Sequence, residues 1–197
     1  LEEADDAIRA AGGRSTMVEL DMKDTPAIPR LAAAIAGRWE RLDGFVANAA
    51  MLPALTPVTH LTPEAWDESV AVNLTGQWHM IRALDPLLRA SPAGRAVLVT
   101  SSAAVGCRPF WGPYAATKAA LEALGRSWAG ESEQTNLRIN MLNPGGTATK
   151  MRASAFPGEN PETLPSPEDI APAFLALLAS DCTHHGELVD ARAMLGL

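Results

Sequence analysis

Two rhythms of apolar and polar positions take turns along this chain. Residues 95–100 (RAVLVT) form an almost unbroken apolar run, the pattern of a parallel strand covered on both faces. Residues 43–50 (DGFVANAA) and 137–142 (LRINML) read the same way, and shorter strands are expected over 16–21 (TMVELD) and 187–190. Helical spacing fills the intervals. The first helix is predicted over 1–11, with acidic residues early and Arg9 late, as the helix dipole favours, and Gly12-Gly13 to stop it. Further helices are expected over 26–41, over 73–90 with a break or bend near Pro86, over 111–131 and over 168–180. Thr62, just before Pro63, is the expected N-cap of another helix start. Residues 143–167 contain five prolines, so no regular strand is expected there. Strands alternating with helices predict an α/β fold with a doubly wound parallel sheet, read as one domain over residues 1–197.

Composition narrows the function classes. A length of 197 residues suits one sizeable core. The net charge of −7, with no Lys/Arg cluster, argues against nucleic acid as a partner. Cys107 and Cys182 are the only cysteines, too few for a disulfide framework and consistent with a reducing, cytoplasmic setting. No apolar run approaches the ~20 residues of a membrane span, and no signal-peptide pattern opens the chain. His184-His185 has no further ligands nearby, so no metal site is expected.

The chemistry concentrates at the start of the 111–131 helix. Pro113 suits the first turn, where its missing N–H would have no partner. Tyr114 and Lys118 lie at i and i+4, hence on one face, one turn apart. A nearby ammonium favours the phenolate, so Lys118 is expected to lower the tyrosine pKa toward the range of an acid/base catalyst. In a doubly wound sheet ligands bind beyond the carboxyl ends of the strands. Those ends carry Asp21, Asn48-Ala49-Ala50, Ser101-Ser102 and Asn143-Pro144-Gly145-Gly146, and Asn73 opens the helix before the Ser101 strand. Hydroxyl, phenol, ammonium and amide groups therefore converge at one edge. They suit carbonyl polarisation with proton transfer better than ester hydrolysis, which would need a histidine base beside a serine. His60 and His79 stand outside any nucleophile-elbow pattern.

In combination and in order, Asn48-Ala49-Ala50, Asn73, Ser101, Tyr114-x-x-x-Lys118 and Asn143-Pro144-Gly145 resemble the short-chain dehydrogenase/reductase family of the classical type. Residues 143–157 (NPGGTATKMRASAFP) further resemble its bacterial YciK-like subgroup. The resemblance implies a Rossmann-like NAD(P)-dependent oxidoreductase moving a hydride between a nicotinamide and a carbonyl/alcohol substrate. Tyr114 would be the general acid/base, Lys118 would tune it and hold the nicotinamide ribose, Ser101 would bind the substrate oxygen, and Asn73 would anchor a water in the proton relay. Ser101 lies 13 residues before Tyr114, the family's usual spacing, with Ser102 the open alternative. The resemblance also places Asp21 at the adenine and Asn48, Ala49 and Ala50 beside the adenosine ribose. Pro144, Gly145, Thr147 and Thr149 would close over the nicotinamide. Met151 and Phe156 read as lid residues that exclude water, and Trp111 as a candidate wall of the substrate pocket.

Helices 73–90 and 111–131 match those that pack between subunits in family dimers and tetramers, so a homodimer or homotetramer is expected. The family opens with a strand, a Thr-Gly-x-x-x-Gly-x-Gly turn and a helix whose N-terminus holds the pyrophosphate. No such turn occurs in these 197 residues, and the N-terminal βαβ portion is expected to be absent from this chain. The usual determinant of NAD against NADP belongs to that portion, so the choice stays open. The contrasting expectation is a non-catalytic binding protein of the same fold, or an inactive truncation.

Overall fold

The apolar run of residues 95–99 becomes β2 (Arg95–Val99), buried at every position because strands flank it and helices cover both its faces. The computed structural model describes residues 2–197. Its four strands stand side by side in chain order, all parallel: β1 (Gly44–Ala47), β2, β3 (Arg138–Asn143) and β4 (Leu188–Asp190). Gly44 aligns with Arg95, Arg95 with Arg138 and Asn143 with Asp190, which brings the carboxyl ends to one edge.

The helices are α1 (Glu2–Ala10), α2 (Ala27–Trp39), α3 (Pro63–Val70), α4 (Gly76–Arg89), α5 (Ala103–Gly106), α6 (Gly112–Gly130), α7 (Lys150–Ala155), α8 (Pro167–Leu178) and α9 (Ala191–Leu195). Strand periodicity sorts them onto two faces. Phe45, Ala96, Leu98, Ile139 and Met141 meet Leu84 and Leu88 of α4 and Leu121 and Trp128 of α6. The alternate positions Val97 and Leu142 meet Ile170, Ala173 and Leu177 of α8. The sheet is therefore doubly wound. Since strand order never reverses while α6 and α8 lie on opposite faces, the crossovers β2–α6–β3 and β3–α8–β4 have opposite hands, so one departs from the usual right-handed rule. Gly125 lets α6 lie close on β3; a Cβ there would come within 2.7 Å of the Met141 sulfur.

Three sequence expectations are corrected. Residues 16–21 form no strand: among the described residues no neighbouring strand offers a hydrogen-bonding ladder, and Met17 and Val18 stay exposed. The helix expected to begin at Asn73 instead starts at Pro63, with Thr62 capping it through the Ala65 N–H. Its irregularity is a wide π turn at Ala71–Thr75 rather than a break at Pro86, where buried Leu84, Leu87 and Leu88 hold the helix in register to Arg89. The first helix is observed as α1; Leu1, which the pattern included in it, lies outside the described residues.

Candidate active site

The site forms where β1, β2 and β3 end. β2 stops at Val99 and the chain turns at Ser101, while Pro113 in the first turn of α6 places Tyr114 and Lys118 on the face toward the sheet. Both are buried. The Lys118 ammonium donates to the Val99 carbonyl at 2.7 Å and lies 5.7 Å from the centre of the Tyr114 ring. A cavity of about 400 Å³ opens over these groups. Among its walls are ten of the expected residues: Asn48, Ala49, Ala50, Ser101, Tyr114, Lys118, Pro144, Gly145, Thr147 and Thr149. Ser102 is exposed and turns its backbone N–H to the Asn143 carboxamide at 3.2 Å, so Ser101 is the serine that shares the cavity with Tyr114.

Asn73 and Asp21 stand outside the cavity walls. Asn73 is fully buried in the π turn. Its Oδ1 accepts from the Met51 N–H at 2.8 Å, and its Nδ2 donates to the Met51 carbonyl at 2.9 Å and to the Thr117 hydroxyl at 3.2 Å. Both amide protons thus have protein partners, and the side chain ties the β1 exit loop to the helices. Asp21 is exposed and accepts from the Lys23 N–H at 2.9 Å, closing a local turn.

Electrostatics reverse one expectation. Burial pushes the Tyr114 phenol above its ordinary value, and the Ser101 hydroxyl beside it works the other way. Burial pulls Lys118 down to about 8. Burial thus acts on both groups in the same sense, favouring the neutral phenol and loosening the Lys118 proton.

Two supporting residues, Gln77 and Thr117, escaped the sequence reading. Gln77 donates to the Ala49 carbonyl at 2.5 Å and, with Asn73, pins the loop carrying Asn48, Ala49 and Ala50. Its position one turn after Asn73 was the available signal. Thr117 joins the Asn73 amide to the Tyr114 carbonyl, to which it donates at 3.1 Å. Asn143 accepts from the Gly145 N–H at 3.1 Å and donates to Asp190 at 3.2 Å, drawing the ends of β3 and β4 together. Gly145 is left-handed at φ +73°.

On the outer side, Thr149 caps α7 through the Arg152 N–H at 3.2 Å, placing Met151 and Arg152 in the cavity wall. Arg152 forms two hydrogen bonds to Glu159, at 2.6 and 2.7 Å, and lies 3.8 Å over the Phe156 ring. The Trp111 ring sits 5.7 Å from Phe156 and 5.8 Å from Tyr114, closing that side with apolar surface. Among the described residues no helix is long and apolar enough to cross a membrane.

Comparison with known proteins agrees with this architecture. Residues 1–160 match the family model described as short chain dehydrogenase. The oxidoreductase YciK of Escherichia coli (strain K12) is 43% identical over 152 residues, covering 77% of this chain and 60% of that protein. An NAD-dependent oxidoreductase of Mycobacterium tuberculosis is 37% identical over 146 residues, covering 74% of this chain and 53% of its own. The chain thus aligns with little more than half the length of these curated relatives. The crystal structure of a short-chain dehydrogenase from Escherichia coli CFT073, complexed with NADPH, superposes with a TM-score of 0.92 at 36% identity, covering 97% of this chain and 81% of that one.

Proposed function

Because the chain belongs to the short-chain dehydrogenase family, we propose that it is an NAD(P)-dependent oxidoreductase acting on a carbonyl/alcohol pair, with Tyr114 as general acid and base. The observation that carries this reading is the convergence of Ser101, Tyr114 and Lys118 on one cavity at the carboxyl edge of the sheet.

The residues present fit the nicotinamide end of such a cofactor. Small side chains at Ala49 and Ala50 and the left-handed Gly145 leave a cradle between the β1 and β3 loops. Lys118, Pro144, Thr147 and Thr149 would hold that end, with Thr147 and Thr149 supplying hydroxyls, and Asn48 would stand beside the adenosine ribose. The glycine-rich turn that takes the pyrophosphate in the family is not in this sequence. NADPH in the E. coli structure and NAD in the name of the M. tuberculosis relative both support a dinucleotide. When bound, it supplies or accepts the hydride.

The chain's own groups handle the oxygen and its proton. Ser101 donates a hydrogen bond to the substrate oxygen and orients it. Tyr114, kept protonated by burial, gives its proton to that oxygen as negative charge develops, and takes it back in the alcohol direction. Lys118 stabilises the phenolate left behind, held by the Val99 carbonyl. Met151, Trp111 and Phe156 keep water from the reacting carbon.

We also expect a cytoplasmic homodimer or homotetramer built through α4 and α6; Trp66 and Trp78, exposed on α3 and α4, offer apolar surface for such contacts. The decisive experiment follows NADH and NADPH consumption across a panel of ketones and aldehydes with wild type and Tyr114→Phe. Turnover that survives intact in Tyr114→Phe sinks the mechanism.

A further inference from the structure

Beyond the cavity over Tyr114 lies a second chamber of about 320 Å³ that shares Ser101, Trp111, Gly145 and Arg152 with it. Three arginines line this chamber, Arg108, Arg152 and Arg192, against one carboxylate, Glu159. Arg152 and Glu159 already neutralise each other through their paired hydrogen bonds. Arg108 and Arg192 have no ion-pair partner among the described residues. Two uncompensated cations therefore face one small chamber in a chain whose net charge is −7. Arg192 is held in place by the backbone: its stem runs against Gly145, where an added Cβ would come within 2.6 Å of the arginine Cδ. The rest of the wall includes Trp111 and Phe156, whose ring centres lie 5.7 Å apart and form one apolar surface.

We propose that Arg108 and Arg192 hold an anionic group of the substrate, a carboxylate or phosphate, while its carbonyl lies against Ser101 and Tyr114. Arginine suits this task because its planar fork matches both headgroups with paired hydrogen bonds. The substrate class is then a small oxo acid, or the matching hydroxy acid, with an apolar body against Trp111 and Phe156. In reduction the carbonyl carbon gains a hydride from the reduced nicotinamide and the oxygen gains the Tyr114 proton, yielding the hydroxy acid and oxidised dinucleotide. The assignment rests on the oxidoreductase reading for the reaction, but the anion site stands on its own geometry.

The test pairs binding with turnover in wild type and in the double variant Arg108→Gln/Arg192→Gln, whose longer polar side chains keep much of the arginine bulk. Calorimetry with benzoate, phenyl phosphate and the neutral benzamide reads the anion site without any reaction. At least one anion is expected to bind about tenfold or more tighter than benzamide, the effect of one charge-assisted hydrogen bond, and this ratio is expected to fall to near one in the double variant. The tighter of the two anions identifies the headgroup. Benzamide binding as tightly as both anions, or an anion preference that survives the double substitution, overturns the proposal. In parallel, kcat/KM for benzoylformate is expected to exceed that for its methyl ester, with the ratio collapsing in the double variant. Equal turnover of acid and ester overturns the substrate class while leaving the oxidoreductase reading intact. Arginine-dependent anion binding with no turnover of any carbonyl compound supports the anion site and sinks the oxidoreductase reading instead.

Discussion

The carboxamide of Asn73 grips both backbone groups of Met51, accepting from its N–H at 2.8 Å and donating to its carbonyl at 2.9 Å. A loop leaving a strand has no ladder partners of its own, so a buried amide in the π turn satisfies them and sets the loop's position. Asn73→Ala leaves those groups without partners in a partly buried place. Stability should fall by about 2–4 kcal/mol in urea unfolding, and cofactor affinity should weaken with it. A variant as stable as wild type would show that the clamp is dispensable.

Tyr114→Phe removes one hydroxyl from a ring that stays packed against Trp111. Turnover is predicted to drop by about 10²–10⁴-fold, the usual contribution of general acid catalysis, with little change in melting temperature. Steady-state rates and a thermal scan on the same preparation check both halves; a large loss of stability would assign the hydroxyl a structural role.

Lys118 carries a pH signature. Burial lowers its folded pKa to about 8, whereas an unfolded lysine titrates near ~10.4. Between those values the unfolded chain binds more protons than the native one, so this group makes stability rise with pH across that window. Below about 8 both states are protonated and the contribution is flat. Wild type should therefore gain stability relative to Lys118→Met between pH 8 and 9.5. Staying below pH 10 avoids Tyr114, whose raised pKa acts in the opposite sense there. Parallel denaturation curves for the two proteins at every pH would refute the assignment.

Gly145→Ala tests the β3 exit. The residue sits at φ +73°, and a Cβ would press on the Arg192 stem. Left-handed backbone costs an alanine on the order of 1–2 kcal/mol, so a loss of about that size is expected. KM for the dinucleotide should rise as the loop shifts. Unchanged stability and KM would mean that the loop relaxes freely.

Much of this architecture is legible in local pattern. The buried run at β2, the Pro113 helix start and the capping Thr62 each depend on neighbours close in the chain, and each forms where the residues indicate. The TMVELD segment shows the limit of that reasoning: its short, partly apolar run is strand-like, but a strand exists only when another offers its backbone, and none does among the described residues. Asn73 stands out by its motif, yet its partner Met51 lies 22 residues away, a pairing that no local spacing encodes.

The sequence by itself determined which residues alternate between core and surface, and therefore the α/β order, and it put Tyr114 one turn from Lys118 on a helix face. Periodicity and i,i+4 spacing are properties of a short stretch of backbone, so they survive without a fold. Only the tertiary structure decided what those groups experience. Burial, not proximity to an ammonium, governs the Tyr114 phenol, because desolvation depends on everything packed around a group. The meeting of Arg108 and Arg192 in one chamber was likewise invisible in the chain, since 84 residues separate them and only the sheet's parallel order brings the loop after α5 and the helix α9 to the same edge.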